Sequence, residues 1–264
     1  MRWEPARADH SIDRVLVAFK LSNTLDANTF DELVVAARKA AGQHKLTNRI
    51  ETLEPIEVPA TQGLIRLDGM PNASPRRVHF QRLDNEGKLV EEFSVGMQRI
   101  AFATLRYRRW QNFFHLVTSN MDAIFKKCPT VKNIKAVRLE YIDRFVSPPG
   151  GADHFEVIFR ASKYLAPIVT EKSAALHVHS GWFDFPTNKI RQLTNVNIDV
   201  HDIAVPPPPD PRRKIAVLTM SELEALEGGL DDPMQRLDAI HDYLKLVYRS
   251  IITPEAATRV ALND

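Results

Sequence analysis

The chain has 264 residues, of which 44% are hydrophobic and 26% are charged, and both fractions are typical of soluble globular proteins. Its 35 Lys and Arg residues nearly balance its 33 Asp and Glu residues, so the net charge of +2 gives no overall reason to expect a nucleic-acid partner. The single cysteine, Cys128, excludes an internal disulfide framework and a cysteine-rich zinc site, and it favours a reducing, cytoplasmic environment. No apolar run is long enough to cross a bilayer, so we expect neither a signal peptide nor a membrane association.

The first half of the chain begins with a predicted strand and a predicted helix. Alternating apolar residues indicate a half-buried strand over residues 12–21. From Phe30 onward apolar residues recur at helical spacing, and Gly42 predicts the end of that helix. A strand is expected near residues 50–58, and the prolines and glycines that follow predict a long loop over residues 59–75.

A hairpin and a second long helix complete this half. Residues 78–83 and 89–95 are strand-like and flank a short connection that contains glycine, which is typical of a β-hairpin. A further strand over residues 99–107 leads into an apolar stripe that begins at Trp110. Pro129 predicts the end of the helix that carries this stripe.

The second half predicts similar elements in a similar order. These are a strand over 137–145, a short helix over 155–165, strands over 174–185, 193–203 and 214–220, and a closing helix from Pro233 to Ile252. The proline run over residues 206–209 lacks N–H donors and predicts an exposed loop.

Two hexapeptides one domain length apart resemble each other. Arg99–Thr104 has the sequence RIAFAT and Lys214–Thr219 has the sequence KIAVLT, and each precedes a helical segment. We therefore predict an α+β protein of two pseudo-repeated β-α-β(3-4)-α halves, with antiparallel sheets and helices packed on one face. The halves are residues 1–130 and 131–264, which could also form one continuous domain.

Two predicted strands carry a candidate metal site. His177 and His179 lie on one face of the first strand, and Asp199 and His201 lie on one face of the next. Imidazole and carboxylate groups are common zinc ligands, so this set suits a divalent metal ion. The same alternation is also typical of the solvated face of an antiparallel sheet.

An arginine-rich run lies where a strand is predicted to pass into a helix. Arg106, Arg108 and Arg109 are interleaved with Tyr107 and Trp110, a pattern that could bind a phosphate or stack on a base. Alternatively, Trp110 begins the apolar stripe and the arginines are solvated or paired with acidic neighbours.

His241 lies on the apolar side of the closing helix. It could act as a general base, or it could pack against the sheet and cap a backbone group. The chain contains no Gly-rich phosphate loop, no Gly-x-Ser-x-Gly, no His-Glu-x-x-His and no Cys-x-x-Cys. We therefore predict no catalytic residue and no cofactor.

Several segments carry a resemblance to a known group of proteins. The segments are VRLEYIDRF over residues 137–145, NIDV over 197–200, LDAIH over 237–241 and ITP over 252–254. Together they resemble a sporadically distributed family of bacterial proteins of about this length, whose function is not established. The family pattern usually has Asn at the position of Asp143.

The resemblance implies a role and a partner. The patchy distribution of that family resembles that of genes on mobile or defence-related islands, which implies an accessory, antitoxin-like or immunity-like role with a toxin or defence effector as protein partner. The order of elements is also similar to TATA-binding-protein-like folds, in which two halves share a curved sheet.

Three functional hypotheses follow from the sequence. The leading one is a non-catalytic binding or scaffolding protein that engages a protein partner. One alternative is a metal-dependent hydrolase that uses His177, His179, Asp199 and His201. A second alternative is a nucleic-acid-binding module that uses Arg106, Arg108 and Arg109.

Overall fold

The computed structural model describes residues 3–5, 7, 10–53, 76–148, 157–171, 175–205, 210–260 and 262. These residues form an antiparallel sheet of ten strands, with helices on one side of it. The predicted α+β class with an antiparallel sheet is therefore confirmed. The predicted loops over 59–75 and 206–209 lie outside the described residues.

The described strands, in chain order, are β1 (Glu4–Pro5), β2 (Ile12–Leu21), β3 (Asn48–Leu53), β4 (Arg76–Leu83), β5 (Leu89–Gly96), β6 (Arg99–Thr104), β7 (Ile134–Val146), β8 (Leu176–Thr187), β9 (Ile190–Val205) and β10 (Asp210–Ala225). The described helices are α1 (Ala27–Gln43), α2 (Trp110–Lys127), α3 (Ile168–Glu171), α4 (Pro233–Ile251) and α5 (Pro254–Arg259).

The strand order across the sheet is β3-β4-β5-β6-β2-β7-β10-β9-β8, and β1 also pairs with β7. The antiparallel pairing of β2 with β7 lies at the middle of this order, with Val17 opposite Leu139. Strands from residues 1–130 lie on one side of that pairing, and strands from residues 131–264 lie on the other. A single sheet therefore spans both predicted halves.

The local sequence explains why the first elements form where they do. On β2, Val15, Val17 and Phe19 are fully buried under the helices, as the alternation predicts. Asp26 caps α1 by accepting a hydrogen bond from the backbone N–H of Thr29 at 2.9 Å. The predicted hairpin between β4 and β5 is also confirmed. Its turn contains Gly87 with φ of +76°, a conformation that favours glycine.

The two longest helices begin and end close to their predicted boundaries. α2 ends at Lys127, directly before Cys128 and Pro129. α4 begins at Pro233, where the side chain of Asp232 accepts from the backbone N–H of Gln235 at 3.0 Å. No helix in the described ranges combines the length and apolar character that a bilayer crossing requires.

Two apolar clusters lie between the sheet and the helices. The first packs α1, α2 and the first part of α4 on β2, β4, β5, β6 and β7, with Phe30, Phe93 and Met121 among its buried members. The second packs α4 and α5 on β7, β9 and β10, with Ile198 and Ile251 among its members. Tyr243 of α4 contacts both clusters.

The predicted helix over residues 155–165 is wrong from residue 158 onward. Phe159 instead forms a β-bridge with Ile252, directly after α4. The backbone N–H of Thr253 donates to the carbonyl of Ile158 at 2.8 Å, and that of Arg160 donates to the carbonyl of Ile251 at 3.0 Å. These long-range hydrogen bonds satisfy backbone groups that a helix would otherwise pair locally.

Candidate functional site

A cleft of about 440 Å³ opens on the helix-covered face of the sheet, between the start of α2 and α4. Residues from five parts of the chain line it. They are His10, Ser11 and Ile12; Tyr107, Arg108, Arg109, Trp110 and Gln111; Tyr141 and Asp143; Thr219; and His241, Leu244, Lys245, Tyr248, Val260 and Leu262.

The positions of the lining residues follow from helix spacing and strand register. On α4 they recur every three or four residues from His241 to Tyr248, which places them on one face of the helix. On the sheet, Thr219 of β10 lies opposite Tyr141 of β7, and Ile12 of β2 lies opposite Asp143 of β7. Three adjacent strands thus build the floor.

Asp143 is the buried acid of the cleft floor, with 2% of its surface exposed. Its Oδ1 accepts a hydrogen bond from Ser11 Oγ at 2.5 Å, and the hydroxyl of Tyr248 also bonds to its carboxyl group. Burial raises the pKa of Asp143 to about 7, although the hydrogen bonds from Ser11 and Tyr248 act in the opposite direction. Near neutral pH the carboxyl group is therefore poised between its neutral and its charged form.

A second group of polar contacts lies beside this acid. The hydroxyl of Tyr141 and Nδ1 of His241 are 2.8 Å apart. The His241 ring stacks on Trp110 with 4.2 Å between ring centroids, and Trp110 Nε1 donates to Asp238 at 2.7 Å. Burial lowers the pKa of His241 to about 4, so the imidazole is neutral at pH 7.

The mouth of the cleft carries positive charge. Arg108 and Arg109 are exposed, and neither has an ion-pair partner among the described residues. Lys245 of α4 lies on the same lining. Arg109 is also the N-cap residue of α2, and its own side chain does not cap the first N–H groups. The mouth is thus suited to an anionic group.

The structure separates the three arginines that the sequence grouped together. Arg108 and Arg109 line the cleft, whereas the guanidinium of Arg106 lies 3.6 Å from Asp84 in the β4–β5 turn. Tyr107 and Trp110, the aromatic residues of the same run, are buried in the cleft wall. Two of the three arginines therefore share one site, and nucleic-acid binding by all three stays a prediction.

The predicted metal ligands lie on the opposite, helix-free face of the sheet. His177 Nδ1 and Asp199 Oδ1 are 2.5 Å apart across the β8–β9 pair, while His179 lies opposite Asn197. His201 lies opposite Lys214 of β10. Within the described ranges, no three His, Cys, Asp or Glu side chains come together as a metal-binding group. The metal site stays a prediction.

Sequence reasoning missed the floor of the cleft, although one signal for it was present. Along β7 the helix-facing positions Val137, Leu139, Tyr141 and Phe145 are apolar or aromatic, and Asp143 interrupts this series. A carboxylate in the buried phase of a strand is uncommon and often marks a functional site. The role of His241 also differs from the predicted backbone cap, because its Nδ1 bonds to the Tyr141 hydroxyl, a side-chain group.

The floor also depends on residues that no local pattern identifies. Ser11 precedes β2, and Thr219 ends the second hexapeptide, yet both contribute to the lining.

No protein family model matches this chain, and no curated protein is significantly similar to it. The cleft is therefore the main evidence for a function.

Proposed function

We propose that this protein is a non-catalytic binding protein and that its ligand occupies the cleft between α2 and α4. The main support is the group Ser11, Asp143, Tyr141 and Tyr248, which places a buried carboxyl group beside members of both apolar clusters. Burying polar and ionisable groups costs free energy, so their presence needs a reason other than stability. A concave lining that combines aromatic and aliphatic side chains with convergent polar groups is typical of small-molecule sites.

The hydrogen bonds of the floor support binding over catalysis. Nucleophilic catalysis by a serine requires a base that accepts the hydroxyl proton and a third group that orients the base. The partners of Ser11 Oγ are Asp143 and the phenol of Tyr248, at 2.5 and 3.2 Å. The imidazole of His241 is instead fixed by Tyr141 and Trp110. Ser11 and His241 therefore do not form the serine–imidazole pair of a catalytic triad, and the hydrogen bonds hold both side chains in place.

We further propose that the two halves are pseudo-repeats. Strand pairing supports this, because β6 pairs with β2, the long first strand of its half, and β10 pairs with β7, the first strand of the other. The two similar hexapeptides thus occupy corresponding strands, and Thr104 corresponds to Thr219. The halves differ in their first helix, since α1 has 17 residues whereas α3 has 4.

A cleft-filling variant tests the proposed binding function. Thr219→Phe would fill the floor, and Thr104→Phe is its matched control, because Thr104 is equally buried but does not line the cleft. The folded proteins would be incubated with the small-molecule fraction of a bacterial extract and studied by native mass spectrometry and thermal unfolding. We expect a bound mass and a higher melting temperature for the wild type and Thr104→Phe, and neither for Thr219→Phe.

Two results would contradict the proposal. One is an unchanged mass and melting temperature of the wild-type protein in the extract. The other is full ligand retention by Thr219→Phe. A toxin or defence effector as protein partner stays a separate prediction that rests on the family resemblance, and affinity copurification from a bacterial host tests it.

A further inference from the structure

We propose that the ligand of the cleft is a small amphoteric molecule, with a protonated or quaternary amine at the floor beside Asp143 and a carboxylate or phosphate at the mouth beside Arg108 and Arg109. This inference rests on the proposed function, because it names the ligand class for the same cleft. It draws on the separation of opposite charges along the cleft and on the aromatic walls between them.

The floor favours a cationic nitrogen. The carboxyl group of Asp143 is bonded by two neutral hydroxyls, those of Ser11 and Tyr248, and no Lys, Arg or His side chain of the described ranges forms an ion pair with it. A buried carboxylate is stable only when a positive charge or several donors compensate it. A ligand amine would supply that charge, and it would hold Asp143 in its ionised form.

The aromatic walls favour the same group. Tyr107, Trp110, Tyr141 and Tyr248 all line the cleft. The rings of Tyr107 and Tyr141 meet edge to face, with 6.0 Å between centroids and 84° between planes, so they form an aromatic corner. Ammonium groups are attracted to the faces of such rings, and cages of this composition recognise alkylated amines. A carboxylate among aromatic rings is therefore a suitable receptor for an amine.

The mouth favours an anion at the other end of the ligand. Arg108 and Arg109 adjoin the N-terminus of α2, where the N-cap side chain makes no capping hydrogen bond, and Lys245 of α4 lines the same cleft. Guanidinium groups bind carboxylate and phosphate oxygens in a bidentate manner, and the N-terminal N–H groups of a helix add a favourable dipole. A volume of about 440 Å³ suits a small molecule and excludes a folded polymer.

Isothermal titration calorimetry on the full chain tests this ligand class. The probes are the straight-chain amino acids from 4-aminobutanoate to 8-aminooctanoate, their trimethylammonium counterparts, and alkylamines and alkylcarboxylates of matched length. We expect one length of the doubly charged series to bind at least about tenfold more tightly than either singly charged probe of that length, because both ends are then engaged. The comparison of primary and quaternary amines distinguishes the two kinds of head group.

Three variants locate the two ends of the ligand. Asp143→Asn preserves the size of the side chain and removes its charge, so it should weaken the doubly charged probe about tenfold and leave the alkylcarboxylate unaffected. Arg108→Ala combined with Arg109→Ala should weaken both of these probes. Arg106→Ala is the matched control, because this arginine pairs with Asp84 outside the cleft, and it should bind like the wild type.

The inference is overturned if alkylcarboxylates bind as tightly as the amino acids, if Asp143→Asn binds the amino acids like the wild type, or if no probe in the series binds. The extract experiment with Thr219→Phe decides separately whether the cleft binds any ligand. A ligand found there that does not carry both charges would retain the binding function and refute the amphoteric class.

Discussion

Two regions of the layer between the sheet and the helices are both buried, but their side chains make chemically different contacts. Under α1 and α2, Phe93 is fully buried and stacks on Phe102 with 4.5 Å between ring centroids. Further along the same layer, Tyr141 and Asp143 are also buried, yet their polar groups form hydrogen bonds to an imidazole and to a hydroxyl group. The strand β7 passes from one region into the other. Burial therefore does not by itself identify a structural core, and the chemistry of the contacts separates core from site.

The largest expected effect comes from the apolar region. Phe93→Ala should lower the free energy of unfolding by about 3–5 kcal/mol, because it removes a stacked ring and leaves a cavity. Urea denaturation followed by circular dichroism measures this. Phe183→Ala is the control, since Phe183 lies on the edge strand β8 with 55% of its surface exposed, and it should cost less than about 1 kcal/mol. Equal losses at the two positions would contradict the assignment of the core.

The next effect concerns the acid of the cleft floor. The folded protein raises the pKa of Asp143 from its usual 3.8 to about 7, so the folded state keeps a proton that the unfolded state has lost. This group alone should therefore decrease the free energy of unfolding by about 3 kcal/mol as the pH rises from about 4 to about 7, while His241 acts in the opposite direction over much of this range. Asp143→Asn should remove that decrease, and urea titrations at several pH values measure it.

The control for this pH experiment is Asp199→Asn, on the helix-free face, where the side chain is half exposed. It should retain the pH dependence of the wild type. The prediction is wrong if the free energy of unfolding of Asp143→Asn has the same pH dependence as that of the wild type. It is also wrong if Asp199→Asn loses the pH dependence that is assigned to Asp143.

His241 should have an intermediate effect with the opposite pH sign. Its pKa is lowered from 6.5 to about 4, so stability from this group increases as the pH rises from about 4 to about 6.5. His241→Leu should lose this increase, and it should cost about 1–2 kcal/mol at pH 7, because the hydrogen bond to Tyr141 is lost. Thermal unfolding at pH 4 and pH 7 measures both. His115→Leu, an exposed position on α2, should change neither quantity.

The smallest effect is expected outside both regions. Replacing His177 and His179 by alanine should change the free energy of unfolding by less than about 0.5 kcal/mol, because the pair of His177 with Asp199 is exposed. Urea denaturation and elemental analysis of the purified protein measure this. A large loss of stability together with a bound metal would instead establish the metal site on this face.

The sequence predicts elements whose signals are local. The alternation on β2, the hairpin of β4 and β5, and the apolar stripes of α2 and α4 all depend on residues within one segment, and the structure agrees with them. The predicted helix over residues 155–165 fails from residue 158 onward, because residues 158–160 bond to residues 251–253, whose position no local pattern reveals.

The cleft shows the same limit. The interruption of the β7 series at Asp143 is visible in the sequence, and it could have marked the floor. Ser11 and Tyr248 could not be assigned as the partners of Asp143 from the sequence, because they lie 132 and 105 residues away from it. The β2–β7 register brings Ser11 to Asp143, and the packing of α4 brings Tyr248 to it. Arg108 and Arg109 could be named as anion ligands from the local pattern, but their separation from Arg106 depends on the position of Asp84.

The central pairing of β2 with β7 has a consequence for the order of folding. It joins segments more than a hundred residues apart, and closing so long a loop is slow because its entropy must be lost before the contacts form. Local structures such as the β4–β5 hairpin and α2 can form earlier. The cleft is assembled only when β2, β7 and α4 have met, so it belongs to the last stage of folding. A ligand of the cleft would bind the native state and not a partly folded one. It would therefore stabilise the native state by mass action.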